Sequence, residues 1–198
     1  MQTEIEAKFL DIDASQLRNK LKYLNAELIK PEREMKRKNF DHEDNSLNKK
    51  NGWVRVRDEG DKVTLSYKQL NDRSLHGTKE VNVVVSDFDD TCSFLENIGM
   101  VQKSYQVTKR ESWKLNGVEI EIDTWPWIPQ YVELEGKSEA DVKNVAAKLG
   151  LDWAKALHGS VEIAYQSYFD VTEEEIDGWS EILFIPTPIK LEKKRIRH

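Results

Sequence analysis

The 198-residue sequence predicts an α+β fold built on a mainly antiparallel sheet. Two observations support this class. Strand-like runs with a two-residue period outnumber the helical runs, and the helices do not alternate regularly with the strands. The strand-like runs are 2–10, 34–41, 53–58, 62–69, 79–85, 103–115, 117–124 and 130–136.

Three amphipathic helices with clear start signals interrupt the strands. Asp13, Ser86 and Ser138 are candidate N-caps, because each is a short polar residue followed by apolar residues at helical spacing. Gly150 marks the end of the third helix. A fourth helix is predicted at about 161–169.

Residues 1–170 are predicted to form one domain, followed by a C-terminal extension at 171–198. The extension ends in the basic run KLEKKRIRH. This run predicts a loosely attached tail. A solvated tail is favoured over an RNA-binding one.

Composition narrows the possible surroundings and partners. The formal net charge of −6 disfavours nucleic acid as the main partner. No apolar run is long enough to span a membrane, and the N-terminus lacks the features of a signal peptide. The single Cys92 fits a reducing compartment. A cytoplasmic protein, either monomer or homodimer, is expected.

The strands separate apolar residues from charged ones. In the first strand Ile5 and Ala7 share one face, and Glu4 and Glu6 share the other. Same-sign neighbours about 7 Å apart repel unless an opposite charge lies between them. Charged faces turned inward would line a barrel, with the valine-rich faces outward beneath the helices. The ordinary arrangement, in which polar faces meet water, stays open at this point.

A charged interior would need ligands. Carboxylates are the oxygen ligands that Mg²⁺ and Mn²⁺ prefer, and guanidinium groups bind phosphate through two parallel hydrogen bonds. The pattern therefore indicates a triphosphate-containing small molecule bound together with Mg²⁺ or Mn²⁺.

Seven short motifs occur in a fixed order between residues 2 and 137. They are Glu4-Ile5-Glu6-Ala7-Lys8, Val54-Arg55-Val56-Arg57, Ser66-Tyr67-Lys68, Glu80, Lys109-Arg110, Glu121-Ile122-Asp123 and Val132-Glu133-Leu134-Glu135-Gly136. This ordered series resembles the CYTH superfamily, also called triphosphate tunnel metalloenzymes. The resemblance implies an eight-stranded antiparallel β-barrel, or tunnel, with helices packed on the outside. It also implies a metal-dependent enzyme acting on inorganic, thiamine, nucleoside or RNA triphosphates.

The resemblance also implies roles for individual residues. The implied metal ligands are Glu4, Glu6, Asp123, Glu133 and Glu135. The implied substrate-binding residues are Lys8, Arg37, Arg55, Arg57, Lys68, Glu80 and Arg110. The implied catalytic residues are Glu6, Arg57 and Glu135, with Arg57 stabilising charge and either glutamate taking the proton.

Two positions depart from the family pattern. Asn82 stands where a second glutamate is common, and Thr108 stands where a lysine is common. Each change removes one interior charge, which affects the substrate and the number of metals more than the fold.

Metal-dependent hydrolysis of a triphosphate is the expected function, and two alternatives remain. A class IV adenylyl cyclase would convert ATP into cyclic AMP and pyrophosphate in the same interior. A non-catalytic polyphosphate or nucleotide-binding module would keep the charges without turnover. Trp125 and Trp127 are expected to pack a turn, with stacking on a base as the alternative.

Overall fold

The computed structural model describes residues 1–196, without the side chain of Gln2. Arg197, part of the predicted basic tail, lies outside the described residues. The strands are β1 Gln2–Thr3, β2 Glu6–Phe9, β3 Glu27–Asp41, β4 Gly52–Asp58, β5 Val63–Leu70, β6 Thr78–Val85, β7 Val101–Leu115, β8 Val118–Thr124, β9 Tyr131–Glu135 and β10 Glu181–Ile182. The α-helices are α1 Ala14–Tyr23, α2 Phe88–Asn97, α3 Glu139–Leu149, α4 Glu162–Tyr168, α5 Glu173–Asp177 and α6 Ile189–Glu192.

The sheet curls back on its own first strand. Its strand order is β1-β6-β5-β4-β3-β7-β8-β9-β2, so the two halves of the N-terminal segment stand at opposite ends. The backbone links continue between them: Glu4 N donates to Thr78 O, and Gly136 N donates to Ile5 O. The predicted run 2–10 is therefore one segment that changes partner at Glu4 and Ile5. The predicted eight-stranded antiparallel architecture with outer helices is confirmed.

Strand β3 begins seven residues earlier than predicted. It contains Pro31, which cannot donate a ladder hydrogen bond and which interrupts a sequence-based strand. The pairing of β3 with β7 shifts register between Lys30 and Arg33, so a local irregularity accommodates the proline.

The helices begin near the predicted caps, with one correction. Asp13 and Ser138 each accept a backbone hydrogen bond at the starts of α1 and α3. Helix α2 is capped by Asp87, whose carboxylate accepts from Asp90 N, and not by the predicted Ser86. Gly150 ends α3 in the left-handed conformation, with φ +80°.

The apolar faces of most strands lie beneath helices, as expected for inward-turned charges. Leu17 of α1 and Val142 of α3 share a buried cluster with residues of β2, β7, β8 and β9, and α2 covers Val56 of β4. Strand β6 differs, because Val81 and Val83 on its outer face are 46% and 49% exposed. The expectation that all the valine-rich faces are covered is wrong for β6.

The C-terminal extension is firmly packed where it is described. Ile182 and Leu191 are buried, and β10 pairs in parallel with β7. Asp170 N donates to Lys194 O, and Arg195 lies over the ring of Phe169. The predicted loose tail is therefore wrong for the described part of 171–198. No helix within residues 1–196 has the length and apolar character needed to cross a membrane.

Candidate functional site

The curled sheet surrounds a cavity of about 1490 Å³ whose wall is rich in charged side chains. Glu4, Arg57 and Glu133, which come from three separate segments of the chain, all line it. The charged faces of the strands are therefore turned inward, as the same-sign pairs predict.

Four arginines of β3 and β4 form one side of the cavity, here called the basic wall. They are Arg33, Arg37, Arg55 and Arg57. The pairing of the two strands places Arg37 directly opposite Arg57. In all four, Nε is buried and has no hydrogen-bond partner among the described residues. Burial is expensive for such donors unless a ligand satisfies them.

The crowding of positive charge affects the basic wall itself. Burial, followed by the charges of Arg55 and Arg57, lowers the pKa of Arg37 well below its usual value. Burial and the charge of Arg57 lower the pKa of Arg55 to about 10. An anion placed against this wall would relieve both effects.

Two neighbours hold Arg37 in place. Its Nη2 donates to Thr108 Oγ1 at 2.9 Å, and its guanidinium carbon lies 4.7 Å from the ring centroid of Trp125. Thr108, which stands where the family commonly has a lysine, therefore holds Arg37 in place. Trp125 packs on that arginine, and Trp127 packs on Trp179.

Four glutamates form a second side of the cavity, here called the acidic wall. They are Glu4, Glu6, Glu133 and Glu135. Strand pairing sets Glu6 opposite Glu135 and Lys8 opposite Glu133. Lys8 Nζ lies 3.0 Å from Glu6 Oε1 and 3.1 Å from Glu133 Oε2, so one lysine is shared by two carboxylates.

The carboxylates of the acidic wall differ in charge state. Burial raises the pKa of Glu4 to about 8, although Lys68 opposes the rise. Burial, with the charges of Glu133 and Glu6, raises the pKa of Glu135 to about 7. Burial also acts on Glu133, but Lys8 and Arg110 outweigh it and lower that pKa. The wall therefore holds protons that a cation would displace.

Glu80 of β6 links the acidic wall to the basic wall. Lys68 Nζ is 2.9 Å from both carboxylate oxygens of Glu4, and Arg55 Nη2 is 3.4 Å from Glu80 Oε1. Burial raises the pKa of Glu80, but the hydrogen bond with Glu4 and the charges of Lys68 and Arg55 lower it to about 2. Next to this link, Asn82 accepts a hydrogen bond from Ser66.

Asp123 does not stand among the cavity-wall carboxylates. It is 1% exposed, and its two oxygens accept from Arg110 Nε and Nη2 at 2.6 Å. Its contacts make it the anchor of Arg110, and its predicted role as a metal ligand stays a prediction. Glu121, two residues earlier on β8, lines the cavity instead.

The sequence profile of the CYTH domain matches residues 2–168, which is most of the chain. The chain belongs to the CYTH family. Comparison with curated proteins gives no match.

Solved structures share this CYTH fold at low sequence identity. A candidate adenylate cyclase from Vibrio parahaemolyticus is 15% identical with a TM-score of 0.71, covering 83% of this chain and 98% of that one. A conserved hypothetical protein from Pyrococcus furiosus is 23% identical with a TM-score of 0.64, covering 78% and 94%. A candidate adenylyl cyclase from Hippeastrum, described as having a dominant triphosphatase activity, is 14% identical with a TM-score of 0.56, covering 92% and 98%.

The carboxylate oxygens of this CYTH domain are suitable ligands for a divalent cation. Within the described part of the chain, no three carboxylate, imidazole or thiol groups form a ready-made metal site. The acidic wall nevertheless offers only oxygen donors, which fit Mg²⁺ or Mn²⁺. Glu4, Glu6, Glu133 and Glu135 are the residues that would hold it, whereas the oxygens of Asp123 are occupied by Arg110.

Arg33, Glu59 and Glu162 are among the cavity residues that were not assigned a role from the sequence. Arg33 lies in the part of β3 that the proline concealed. Glu59 follows Arg57 by two residues and is 2.5 Å from its Nη2, so extending the two-residue period of β4 would have found it. Glu162 begins α4, and no strand period applies to it.

Proposed function

We propose that this CYTH protein hydrolyses the terminal phosphoanhydride bond of a triphosphate with a divalent cation. The proposal rests on a single observation: one cavity holds both free donors for an anion and oxygen donors for a cation. Its basic wall has four buried guanidinium Nε atoms without partners, and its acidic wall offers oxygen donors.

The basic wall binds and orients the phosphates. A guanidinium group donates two parallel hydrogen bonds to phosphate oxygens, and the Nε atoms of Arg37, Arg55 and Arg57 are available for them. Lys68 adds a point charge at the junction with the acidic wall. Several cations together compensate for the desolvation of a polyanion.

Charge that develops on the leaving group is stabilised by arginines that their neighbours hold in place. Donors fixed before the reaction are worth more than mobile solvent, because they need no reorganisation. Arg110 is fixed by its two hydrogen bonds with Asp123, and Arg57 by its contact with Glu59. Mg²⁺ or Mn²⁺, when bound, supplies further neutralisation of phosphate charge and polarises a water molecule.

Glu135 is the better of the two predicted proton acceptors. Glu6 is paired with Lys8 at 3.0 Å, whereas no described lysine or arginine lies within 4 Å of the Glu135 carboxylate. A pKa of about 7 is suited to taking a proton from water at neutral pH. Glu135 therefore accepts the proton in this proposal.

Product analysis tests the function. The protein is incubated separately with inorganic triphosphate, ATP and thiamine triphosphate, each with Mg²⁺ or Mn²⁺. Orthophosphate release that is lost on chelation supports hydrolysis. If ATP gives cyclic AMP and pyrophosphate, the adenylyl cyclase alternative is correct. Tight binding of all three compounds with no product would favour a non-catalytic binding module and overturn the proposal.

A further inference from the structure

The cavity has a second part with a different character from the two charged walls. It is here called the apolar extension and is lined by Trp125, Tyr131, Val161, Val171, Ile176 and Ile182. These residues belong to, or pack against, the cluster beneath α4 and α5. Apolar and aromatic walls with a few polar groups are typical of sites for organic molecules, and phosphate gains nothing from them.

Contacts between distant segments fix α5 over this part of the cavity. Asn48 Nδ2 donates to Asp177 Oδ2 at 2.8 Å, and Arg73 forms an ion pair with Glu173. Strand β10, just after α5, pairs with β7. The apolar extension is therefore a formed part of the cavity rather than a gap beneath a loose tail.

Four carboxylates of α4 and α5 line the cavity: Glu173, Glu174 and Asp177 are exposed, whereas Glu162 is half-buried. The hydroxyl of Ser160 donates to its carboxylate, and no lysine, arginine or histidine of the described chain lies within 4 Å of it. In contrast, Glu4, Glu6 and Glu133 each have a lysine within 3.1 Å. Glu162 is thus a cavity carboxylate without a cationic partner among the described side chains.

The Glu162 carboxylate has hydrogen-bond donors close to it but no close cation. Burial raises its pKa to about 7 and the charge of Asp177 adds to the rise, while a hydrogen bond from its own backbone N–H and the charges of Lys8 and Arg73 oppose it. A ligand that donates hydrogen bonds or carries positive charge would stabilise the ionised form. A phosphate group would be repelled by it.

We propose that the apolar extension binds the organic group of an organic triphosphate, and that Glu162 is the specificity-determining residue which pairs with a nitrogen-bearing part of that group. The inference rests on the proposed function, since the phosphates of the same molecule occupy the basic wall. A cavity of about 1490 Å³ is larger than the roughly 300–1,000 Å³ typical of drug-sized ligands, so it has room for both parts.

The test compares substrates in matched variants. Values of kcat/KM are measured for inorganic triphosphate, ATP and thiamine triphosphate with the wild type, with Glu162→Gln and with Glu181→Gln. Glu181 is an exposed carboxylate of β10 that does not line the cavity, so the control makes the same change of charge outside the site. The wild type is expected to prefer at least one organic triphosphate. Glu162→Gln is expected to lower kcat/KM for that substrate roughly 10- to 100-fold, the scale of an unmatched buried polar group.

In the same variant, turnover of inorganic triphosphate should change no more than about 3-fold. Glu181→Gln should leave all three values near wild type. A second variant, Val161→Phe, narrows the apolar extension without changing Glu162. It should lower kcat/KM only for the organic substrates. It also keeps the test available if Glu162→Gln does not fold.

Two results would overturn the inference. One is a wild type that prefers inorganic triphosphate over both organic compounds. The other is an equal loss for all three substrates in both variants, which would make the region structural. Calorimetric binding of the same compounds without added metal separates this inference from the function. Selective binding of an organic triphosphate without hydrolysis would support the proposed role of the apolar extension. It would at the same time contradict the proposed hydrolase activity.

Discussion

The basic and acidic walls of the cavity solve the problem of buried charge in different ways. In the basic wall, burial and the charge of Arg57 lower the pKa of both Arg37 and Arg55. Four guanidinium Nε atoms there have no partner in the described chain. In the acidic wall, Lys8 sits between Glu6 and Glu133 and offsets their charge. The protein therefore leaves its anion-binding surface open and partly neutralises its cation-binding surface.

This difference predicts an order of binding. A polyphosphate can meet the free Nε atoms of the basic wall while the Nη2 contacts of its arginines stay in place. A divalent cation at the acidic wall must compete with Lys8 and with the protons held by Glu4 and Glu135. Phosphate is therefore expected to draw Lys8 and Lys68 toward itself and to free carboxylates for the metal.

The largest predicted effect comes from removing an arginine from the basic wall. Arg57→Ala should lower kcat for inorganic triphosphate at least ~100-fold, because it removes a donor aimed at developing charge. Steady-state orthophosphate release measures it. Arg18→Ala is the control, since Arg18 is on α1 and pairs with Glu111, which is not a cavity residue. Near wild-type turnover in Arg57→Ala would contradict the assignment of the basic wall.

Lys8→Met tests the internal neutralisation of the acidic wall. Without the ammonium group, Glu6 loses its close cation and Glu133 keeps only Arg110, at 3.8 Å. The metal-free protein should therefore lose about 3 kcal/mol of stability. The same change should tighten Mn²⁺ binding in the absence of phosphate by roughly 10-fold. Thermal unfolding with and without Mn²⁺ measures both effects. If Mn²⁺ restores no stability, the acidic wall is not the metal site.

The charged walls could be predicted because a two-residue period places alternate side chains on one face. Arg55, Arg57 and Glu133 lie on the cavity wall for that reason. Arg33 could not be found this way, since Pro31 and a register shift separate it from the regular part of β3. Glu162 belongs to a helix, so its position depends on how α4 packs.

Two other outcomes depend on contacts between distant segments. The sequence places Asp123 on the inner face of β8, but only the pairing of β7 with β8 sets it opposite Arg110. The packing of the C-terminal extension rests on a few isolated apolar residues, such as Ile182 and Leu191, with no helical or strand period. Their partners come from segments far away in the sequence, so local patterns cannot indicate the contact.

Asp123→Asn distinguishes an arginine anchor from a metal ligand. The amide keeps the size of the side chain but weakens the charge-assisted hydrogen bonds with Arg110, so kcat/KM should fall roughly 3- to 10-fold. Mn²⁺ affinity, measured by calorimetry, should stay within about 2-fold. Glu133→Gln is the matched comparison and should weaken Mn²⁺ binding. A large loss of Mn²⁺ affinity in Asp123→Asn would show that Asp123 is a metal ligand, as the sequence predicts.

The smallest predicted effect is a decrease in stability with rising pH in the ligand-free protein. Folding raises the pKa of Glu4 to about 8 and of Glu135 to about 7, from 4.5. Between these values the folded protein binds more protons than the unfolded chain, so this contribution to stability is complete below 4.5 and is lost as pH rises through about 7 to 8. Glu80, with its pKa lowered to about 2, contributes in the opposite sense only at acidic pH.

The midpoint of thermal unfolding should therefore fall by a few degrees from about pH 6 to about pH 8.5. Glu135→Gln removes one of the raised groups and should flatten the curve, while the exterior variant Glu139→Gln should not. Saturating Mn²⁺ should abolish the fall, because the cation favours the ionised carboxylates that deprotonation leaves unpaired. A midpoint that rises with pH in the ligand-free protein would show that the acidic wall is already fully ionised and neutralised, which would remove the contrast between the two walls.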